Sequence, residues 1–324
     1  MRLFDLFPPP RFLTLREAGV SVTERAVKFV SFKVGASGGL RLEKFGEIPL
    51  PEGVISGGTI GNKAVLSDVL SRLRNEHGFS FVNATLPEEK AYLFTTTVDK
   101  VEYRDLHDAV AFTVEENAPV SLSKSLFSFE ILEAESQVKA AVSVLPQEIA
   151  ESYMEIFEAA GMTPVSFDIE SQAVARALVK RGDERSHLII HLSERKVGLY
   201  LVDNEVVQFS STLSADLSGG GTPEAVAALK SEIRKFFIFW NTRLEHGGVP
   251  GRSVENVVLS GPYASDERIV SNIMSDVETP YALGNVWANV FLSGRKLPDM
   301  PFDTSLGFDT AIGAALPQSL HAYV

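Results

Sequence analysis

Apolar and polar residues alternate with a period of two at two places 170 residues apart. Val20-Ser21-Val22-Thr23-Glu24-Arg25-Ala26-Val27-Lys28-Phe29 is echoed by Ile190-His191-Leu192-Ser193-Glu194-Arg195-Lys196-Val197-Gly198-Leu199. In each copy a hydroxyl-Glu-Arg turn separates two alternating runs, which is the pattern of a β-hairpin. A second turn follows each hairpin, through Ser37-Gly38-Gly39 and through Asp203-Asn204-Glu205. Third runs then occupy 41–48 and 206–213. The pattern predicts two three-stranded meanders, and with them two related lobes.

Runs of period three to four lie between and after the meanders. Asn62 stands where it can cap a helix with Val65, Leu66, Val69, Leu70 and Leu73 on one face. Leu106, Val110 and Val114 mark a second helix, and Ile149, Tyr153, Ile156, Phe157 and Ala160 a third that stops at Gly161. A fourth is expected from Asp168 to Val179, carrying Ala173, Val174, Ala177 and Leu178. Thr222-Pro223-Glu224 supplies a cap, a first-turn proline and a first-turn acid to the longest helix, whose face holds Val226, Leu229, Ile233, Phe237, Trp240 and Leu244. A strand at 254–259, a helix capped by Ser265 and running to Val277, and a small-residue helix from Asp303 complete the series. Strands and helices alternate, so the fold class is α/β.

Residues 81–165 keep a different rhythm: strand at 92–98, helix at 101–117, strands at 126–133 and 139–145, helix at 147–160. The segment reads as a small α+β subdomain inserted in the first lobe. The expected division is a first lobe at 1–80 with 303–324 returning to it, the insertion at 81–165, and a second lobe at 166–302.

Composition narrows the chemistry. The chain has 324 residues, 45% of them hydrophobic, enough to bury a substantial core. Thirty Lys and Arg against 42 Asp and Glu give a formal charge of −12, which disfavours nucleic acid and anionic lipid as partners. The absence of cysteine excludes disulfides, thiolate nucleophiles and zinc-thiolate sites. No run of 18 or more uncharged apolar residues is present, so no spanning helix is expected. The opening Met1-Arg2-Leu3-Phe4-Asp5-Leu6-Phe7 before Pro8-Pro9-Pro10 reads as a stiff arm rather than a secretory signal, and the expected location is the cytoplasm.

The order of hairpin, inserted subdomain, second hairpin and Val257-Val258-Leu259-Ser260-Gly261 resembles the actin-like superfamily. Within it the chain is similar to the PilM family of type IV pilus assembly proteins, relatives of the FtsA division proteins. The stretches that carry this resemblance are Phe157-Glu158-Ala159-Ala160-Gly161-Met162-Thr163-Pro164-Val165-Ser166-Phe167-Asp168-Ile169-Glu170, continuing to Ala173, Ala175, Arg176, Ala177 and Leu178. Pro49-Leu50-Pro51-Glu52-Gly53-Val54-Ile55, and Glu115-Glu116-Asn117-Ala118-Pro119 before the strand at 127–132, fit it too. The likeness runs from about Gly19 to Leu316, and it implies an actin-like (ribonuclease-H-like) two-lobed fold.

That superfamily places Gly-Ile-Asp-Ile-Gly-Ser on the first hairpin, Asp-Ile-Gly on the second and Ser-Gly-Gly-Gly at the adenosine turn. Its glycines admit phosphate and its acids hold magnesium through water. Here Ser21, Thr23 and Glu24 stand at the first hairpin's Asp, Gly and Ser, while His191 and Ser193 replace Asp and Gly on the second. The adenosine turn reads Ser260-Gly261-Pro262-Tyr263. The resemblance thus assigns Ser21, Thr23, Lys28, His191, Ser193, Ser260 and Gly261 to a degenerate nucleotide cleft. No cofactor is expected to be required, no catalytic residue or metal ligand is identified, and ATP hydrolysis is expected to be lost. The competing reading is an ATPase of the same superfamily that keeps ATP and magnesium in the cleft. Glu24 facing Arg195 and Arg25 facing Glu194 are expected to hold the cleft closed.

Other signals stay open between two readings. Ser218-Gly219-Gly220-Gly221 before a helix is an anion nest or a loop. Phe236-Phe237-Ile238-Phe239-Trp240 is a partner surface or core. His187 and His191, four apart on a strand, lie about 13 Å from each other and do not share an ion. Asp105-Leu106-His107-Asp108 reads as a solvated helix face, and Asp168 and Glu170 as acids at a helix start. No Ser-His-Asp arrangement, HExxH, GxSxG or GxGxxG points to another enzyme class.

The resemblance further implies a cytoplasmic scaffold of a type IV pilus or a related secretion machine, peripheral to the inner membrane through its partners. These would be the N-terminal cytoplasmic segment of a PilN-like membrane protein and other pilus assembly proteins. Tyr92, Phe94, Phe112, Phe127 and Phe129, aromatic residues on the insertion, are the candidates to line its groove; the insertion's own core is the other place for them.

Overall fold

In the computed structural model, residues 17–34, 39–134, 136–245, 253–291 and 298–317 are described. The N-terminal arm and most of the Ser37-Gly38-Gly39 turn lie outside them. The first meander forms as expected. β1 (Glu17–Val22), β2 (Ala26–Val34) and β3 (Leu40–Pro49) pair antiparallel, with Val22 opposite Val27 at the hairpin. The two-residue strands β4 (Ile55–Ser56) and β5 (Thr59–Ile60) follow, then α1 (Lys63–His77). Asn62 caps α1 by accepting from the Val65 N–H, and Leu66, Val69, Leu70 and Leu73 are buried.

β6 (Phe81–Leu86) lies parallel to β1. The inserted unit is β7 (Tyr92–Asp99), α2 (Tyr103–Asn117), β8 (Ser125–Ala134) and β9 (Gln137–Pro146), its sheet ordered β7-β9-β8. α3 (Gln147–Ala159) and β10 (Thr163–Ile169) bring the chain back.

Here the structure corrects the expected 81–165 boundary. β6 and β10 are neighbouring parallel strands of the first lobe's sheet, ordered β10-β6-β1-β2-β3. Parallel neighbours require a crossover, and α3 belongs to it, burying Tyr153, Ile156 and Phe157 in the same core as the α1 stripe. The insertion therefore sits inside a β6-α3-β10 crossover and occupies about 92–146. The expected Asp168 helix start is displaced as well. Asp168 is the next-to-last residue of β10, and α4 (Glu170–Leu178) begins two residues later.

The second lobe repeats the first. β11 (Ser186–Leu192), β12 (Lys196–Asp203) and β13 (Val206–Ser214) form the meander, turning through Asn204 and Glu205 at φ 50° and 68°. α5 (Pro223–Glu245) starts at the expected Thr222 cap, whose Oγ1 accepts from the Ala225 N–H. β14 (Asn256–Ser260), α6 (Glu267–Met274) and β15 (Tyr281–Leu283) complete it in the order β13-β12-β11-β14-β15. Both sheets are thus an antiparallel meander extended by two parallel strands. Asp266, not Ser265, caps α6, since its carboxylate accepts from Arg268 and Ile269.

The expected last helix is two pieces, α7 (Phe302–Leu306) and α8 (Asp309–Ala315), broken at Gly307. α8 returns to the first lobe. A Cβ on Gly19 of β1 would stand 2.1 Å from the Ala311 carbonyl oxygen, and one on Gly313 only 1.7 Å from that of Ala173 in α4. Both glycines are therefore required by close approach. α4 and α8 share a core with Ile189, Tyr200, Trp287 and Phe308, which joins the lobes behind the cleft.

Candidate functional site

The two hairpin turns face each other across a cavity of about 240 Å³, lined from both lobes and from α8. All seven residues assigned to the nucleotide cleft lie in or beside it, and their polar groups are largely engaged within the protein. Thr23 Oγ1 closes its own turn, donating to the Ala26 carbonyl at 3.0 Å and accepting from the Ala26 N–H at 3.2 Å. Ser21 is buried on β1. Lys28 Nζ donates to the Gly307 carbonyl at 2.6 Å, lies 3.9 Å from Glu47 and sits 5.3 Å from the Phe308 ring centroid. On the second hairpin the Ser193 N–H is used by the Lys196 carbonyl.

Ser260 Oγ donates to Asp309 Oδ2 at 2.5 Å. Gly261 adopts φ +93°, and a Cβ there would meet the Leu192 carbonyl oxygen at 2.5 Å. Its glycine is thus explained by the approach of its turn to β11. Pro262 and Tyr263 close that wall of the cavity.

His191 anchors a buried ionic network where the resemblance places a metal-holding acid. Its Nε2 is 3.3 Å from Asp309 Oδ2 and its Nδ1 is 3.5 Å from Glu170 Oε1. Lys196 Nζ contacts Glu170 Oε2 at 2.6 Å and Glu89 Oε1 at 3.2 Å. Asp309 also accepts from the Thr310 N–H at 2.6 Å. The network joins β11 and β12 to the start of α4, to the 3-10 turn after β6 and to α8.

Burial opposes charge on each member, and the partners overcome it. Lys196 is held above the ordinary lysine value by Glu170 and Glu89 despite desolvation. His191 is raised by Asp309 and Glu170 against the same penalty. Glu170 is lowered by Lys196 and His191, and Asp309 by His191 and Ser260. Glu88, beside the network, differs: desolvation pushes it to about 7, although the Ser171 N–H donates to its Oε2 at 2.8 Å.

Only one of the two expected surface pairs forms. Arg25 Nε meets Glu194 Oε2 at 2.6 Å across the cleft. Glu24 instead accepts from the Gly57 N–H at 2.6 Å, because it folds back on the β4–β5 turn. Arg195 turns to Glu52 at 2.8 Å, which still links the lobes. Reading the sequence missed Glu52, Glu89, Lys196 and Asp309 and gave Glu170 no such role. An acid in the small apolar run Phe308-Asp309-Thr310-Ala311 was the available signal. Asp168 is committed elsewhere, to Arg176 at 2.7 Å, and Arg176 also donates to the Gly313 carbonyl at 3.0 Å.

The five aromatic candidates do not converge on one trough. Register places Phe94 and Phe129 on either side of Val142, and Tyr92 and Phe127 on either side of Val144, so these four share one face of the inserted sheet. α2 covers that face with Leu106, Val110 and Val114, and Phe94, Phe127 and Phe129 pack against the resulting core. Tyr92 stays about a third exposed at 36%. Phe112 is 73% exposed and lies on α2 away from the buried stripe.

The open alternatives resolve as follows. The glycine-rich segment before α5 is a 3-10 turn at Ser218–Gly220, with the Gly220 and Gly221 N–H groups donating to the Leu217 and Ser218 carbonyls and Asp216 accepting from the Ser218 N–H and hydroxyl. Phe236 and Trp240 are core, whereas Ile238 and Phe239 are exposed. His187 pairs with Asp183 at 3.3 Å, apart from His191. His107 and Asp108 lie on a solvated helix face, as expected. Among the described residues, no three acidic or histidine side chains are grouped to hold a metal ion, and no helix is long and apolar enough to cross a membrane.

A family model described as type IV pilus assembly protein PilM matches residues 19–212. Among solved structures, the PilM-PilN type IV pilus biogenesis complex matches at TM-score 0.77 and 18% identity, covering 95% of this chain and 100% of that one. The ethanolamine utilization protein EutJ from Carboxydothermus hydrogenoformans matches at TM-score 0.50 and 10% identity, with 95% and 90% covered. These likenesses establish the actin-like fold. No curated protein sequence matches the chain.

Proposed function

The chain belongs to the PilM family of type IV pilus assembly proteins, and from that membership we propose that it is a scaffold whose lobes are held together by its own side chains rather than by a nucleotide. The observation that carries this reading is the buried network of His191, Asp309, Glu170, Lys196 and Glu89. It occupies the place where an ATP-using relative would bind metal and phosphate. Lys28 and Ser260 are spent on Gly307 and Asp309, and the acids of the network repel a polyphosphate. The residues present therefore fit neither magnesium nor the phosphates, and hydrolysis is lost.

The partner, by analogy with the complex whose fold this chain shares, is the N-terminal segment of a PilN-like inner-membrane protein. The scaffold would then sit at the cytoplasmic face of that membrane. A rigid cleft suits this role, because a binding surface between lobe and insertion needs no ligand to set its geometry. Calorimetric titration with a synthetic N-terminal PilN-like peptide tests the reading. Saturable one-to-one binding without added nucleotide is expected, and no heat at any peptide concentration would refute it.

A further inference from the structure

Sheet edges attract foreign strands, and proteins protect them with basic residues, proline, bulges or short length. Among the described residues, nearly every edge of this protein shows such a device. β3 carries Arg41, Lys44, two exposed glutamates and a bulge. β10 has Pro164 and an irregularity beside it. β15 is three residues long, β4 and β5 are two each, and β7 lies against β13. The outer edge of β8 is the least protected, its one bulge lying near its C-terminal end between Ile131 and Glu133. The strand has ten residues, Ser-Leu-Phe-Ser-Phe-Glu-Ile-Leu-Glu-Ala, without Lys, Arg or Pro, and β9 is its one strand neighbour. Leu126 and Ile131 on it are 50% and 39% exposed.

We propose that β8 pairs antiparallel with β8 of a second copy, about a two-fold axis at Phe129, joining two inserted sheets into one. The sequence of the strand is complementary to itself in that register. Phe129 faces its own copy, Phe127 faces Ile131, and Ser128 faces Glu130, so aromatic and branched residues meet and no glutamate opposes another. Moving the axis to Ser128 sets Leu126 against Glu130, and moving it to Glu130 sets glutamate against glutamate. A shift by one residue puts Phe129 opposite Glu130 or Ser128 and crosses the faces. The bulge between Ile131 and Glu133 ends the pairing at its far side. A two-fold axis makes the contact isologous and closed, so it yields a dimer and not a fibre.

Sedimentation velocity of the whole protein over a hundredfold range of concentration tests this, with the Leu126→Lys/Ile131→Lys double variant beside it. The expected result is a reversible shift toward twice the monomer mass in the parent, absent from the variant, whose thermal midpoint is little changed because Leu126 lies on the face away from α2 and Ile131, although on the α2 face, is exposed at its margin. Hydrogen exchange should show protection of 126–131 that grows with concentration. A monomer throughout, or a dimer that survives both lysines, overturns the proposal. So does protection of 126–131 by an added PilN-like peptide in the monomeric range, which would assign the edge to a partner strand.

Discussion

Glu88 and Lys196 show how single groups in the cleft set its response to pH and mutation. A glutamate in the unfolded chain ionises near 4.5, while buried Glu88 does so at about 7. Between those values the folded protein holds a proton that the unfolded chain lacks, so stability falls as pH rises from 4.5 to 7. The accumulated cost above pH 7 is about 3 kcal/mol. Glu88→Gln should therefore match the parent in urea denaturation at pH 4.5 and exceed it at pH 8. His191, whose folded value is raised, adds stability that is fully present below 6.5 and lost as pH climbs through that raised value. Glu170 and Asp309, both lowered, act in the opposite direction and lose their contribution on acidification. Lys196→Met leaves Glu89 without its cation and Glu170 with His191 alone, and is expected to cost about 3–5 kcal/mol in denaturant midpoint analysis. Arg25→Ala, which breaks a pair near the surface, should leave the midpoint almost unmoved.

At the scale of elements, α8 is held by backbone proximity more than by side-chain bulk. Gly313→Ala would drive a methyl into the Ala173 carbonyl and should destabilise by about 2–3 kcal/mol, read by denaturation at neutral pH. The meanders and the α1 cap were legible in the sequence because alternation and capping are local signals, written within a few residues of where they act. β10 was not, since Pro164 and the acid Asp168 interrupt its alternation and its partner β6 precedes it by a whole inserted unit. The same limit applied to the site. The hairpins showed which cleft positions had changed, but the partners of His191 and Lys196 come from residues as distant as Glu89 and Asp309. Which acid approaches which cation is decided by the packing of α4 and α8, and this packing leaves no local mark.

At the scale of the molecule, two lobes of one topology meet at their hairpins and are joined three times: by the apolar core behind the cleft, by the buried network within it and by Arg25–Glu194 and Arg195–Glu52 at its rim. Paired buried charges stabilise little on their own, but they fix geometry, because any opening leaves several ions desolvated without partners. The scaffold proposed above would draw on such a closed arrangement without a nucleotide. The most direct test is a thermal melt of the purified protein with and without millimolar ATP and magnesium, since anything that binds the folded state alone raises the midpoint. The account predicts coincident melting curves, and an upward shift that saturates with ATP would contradict it.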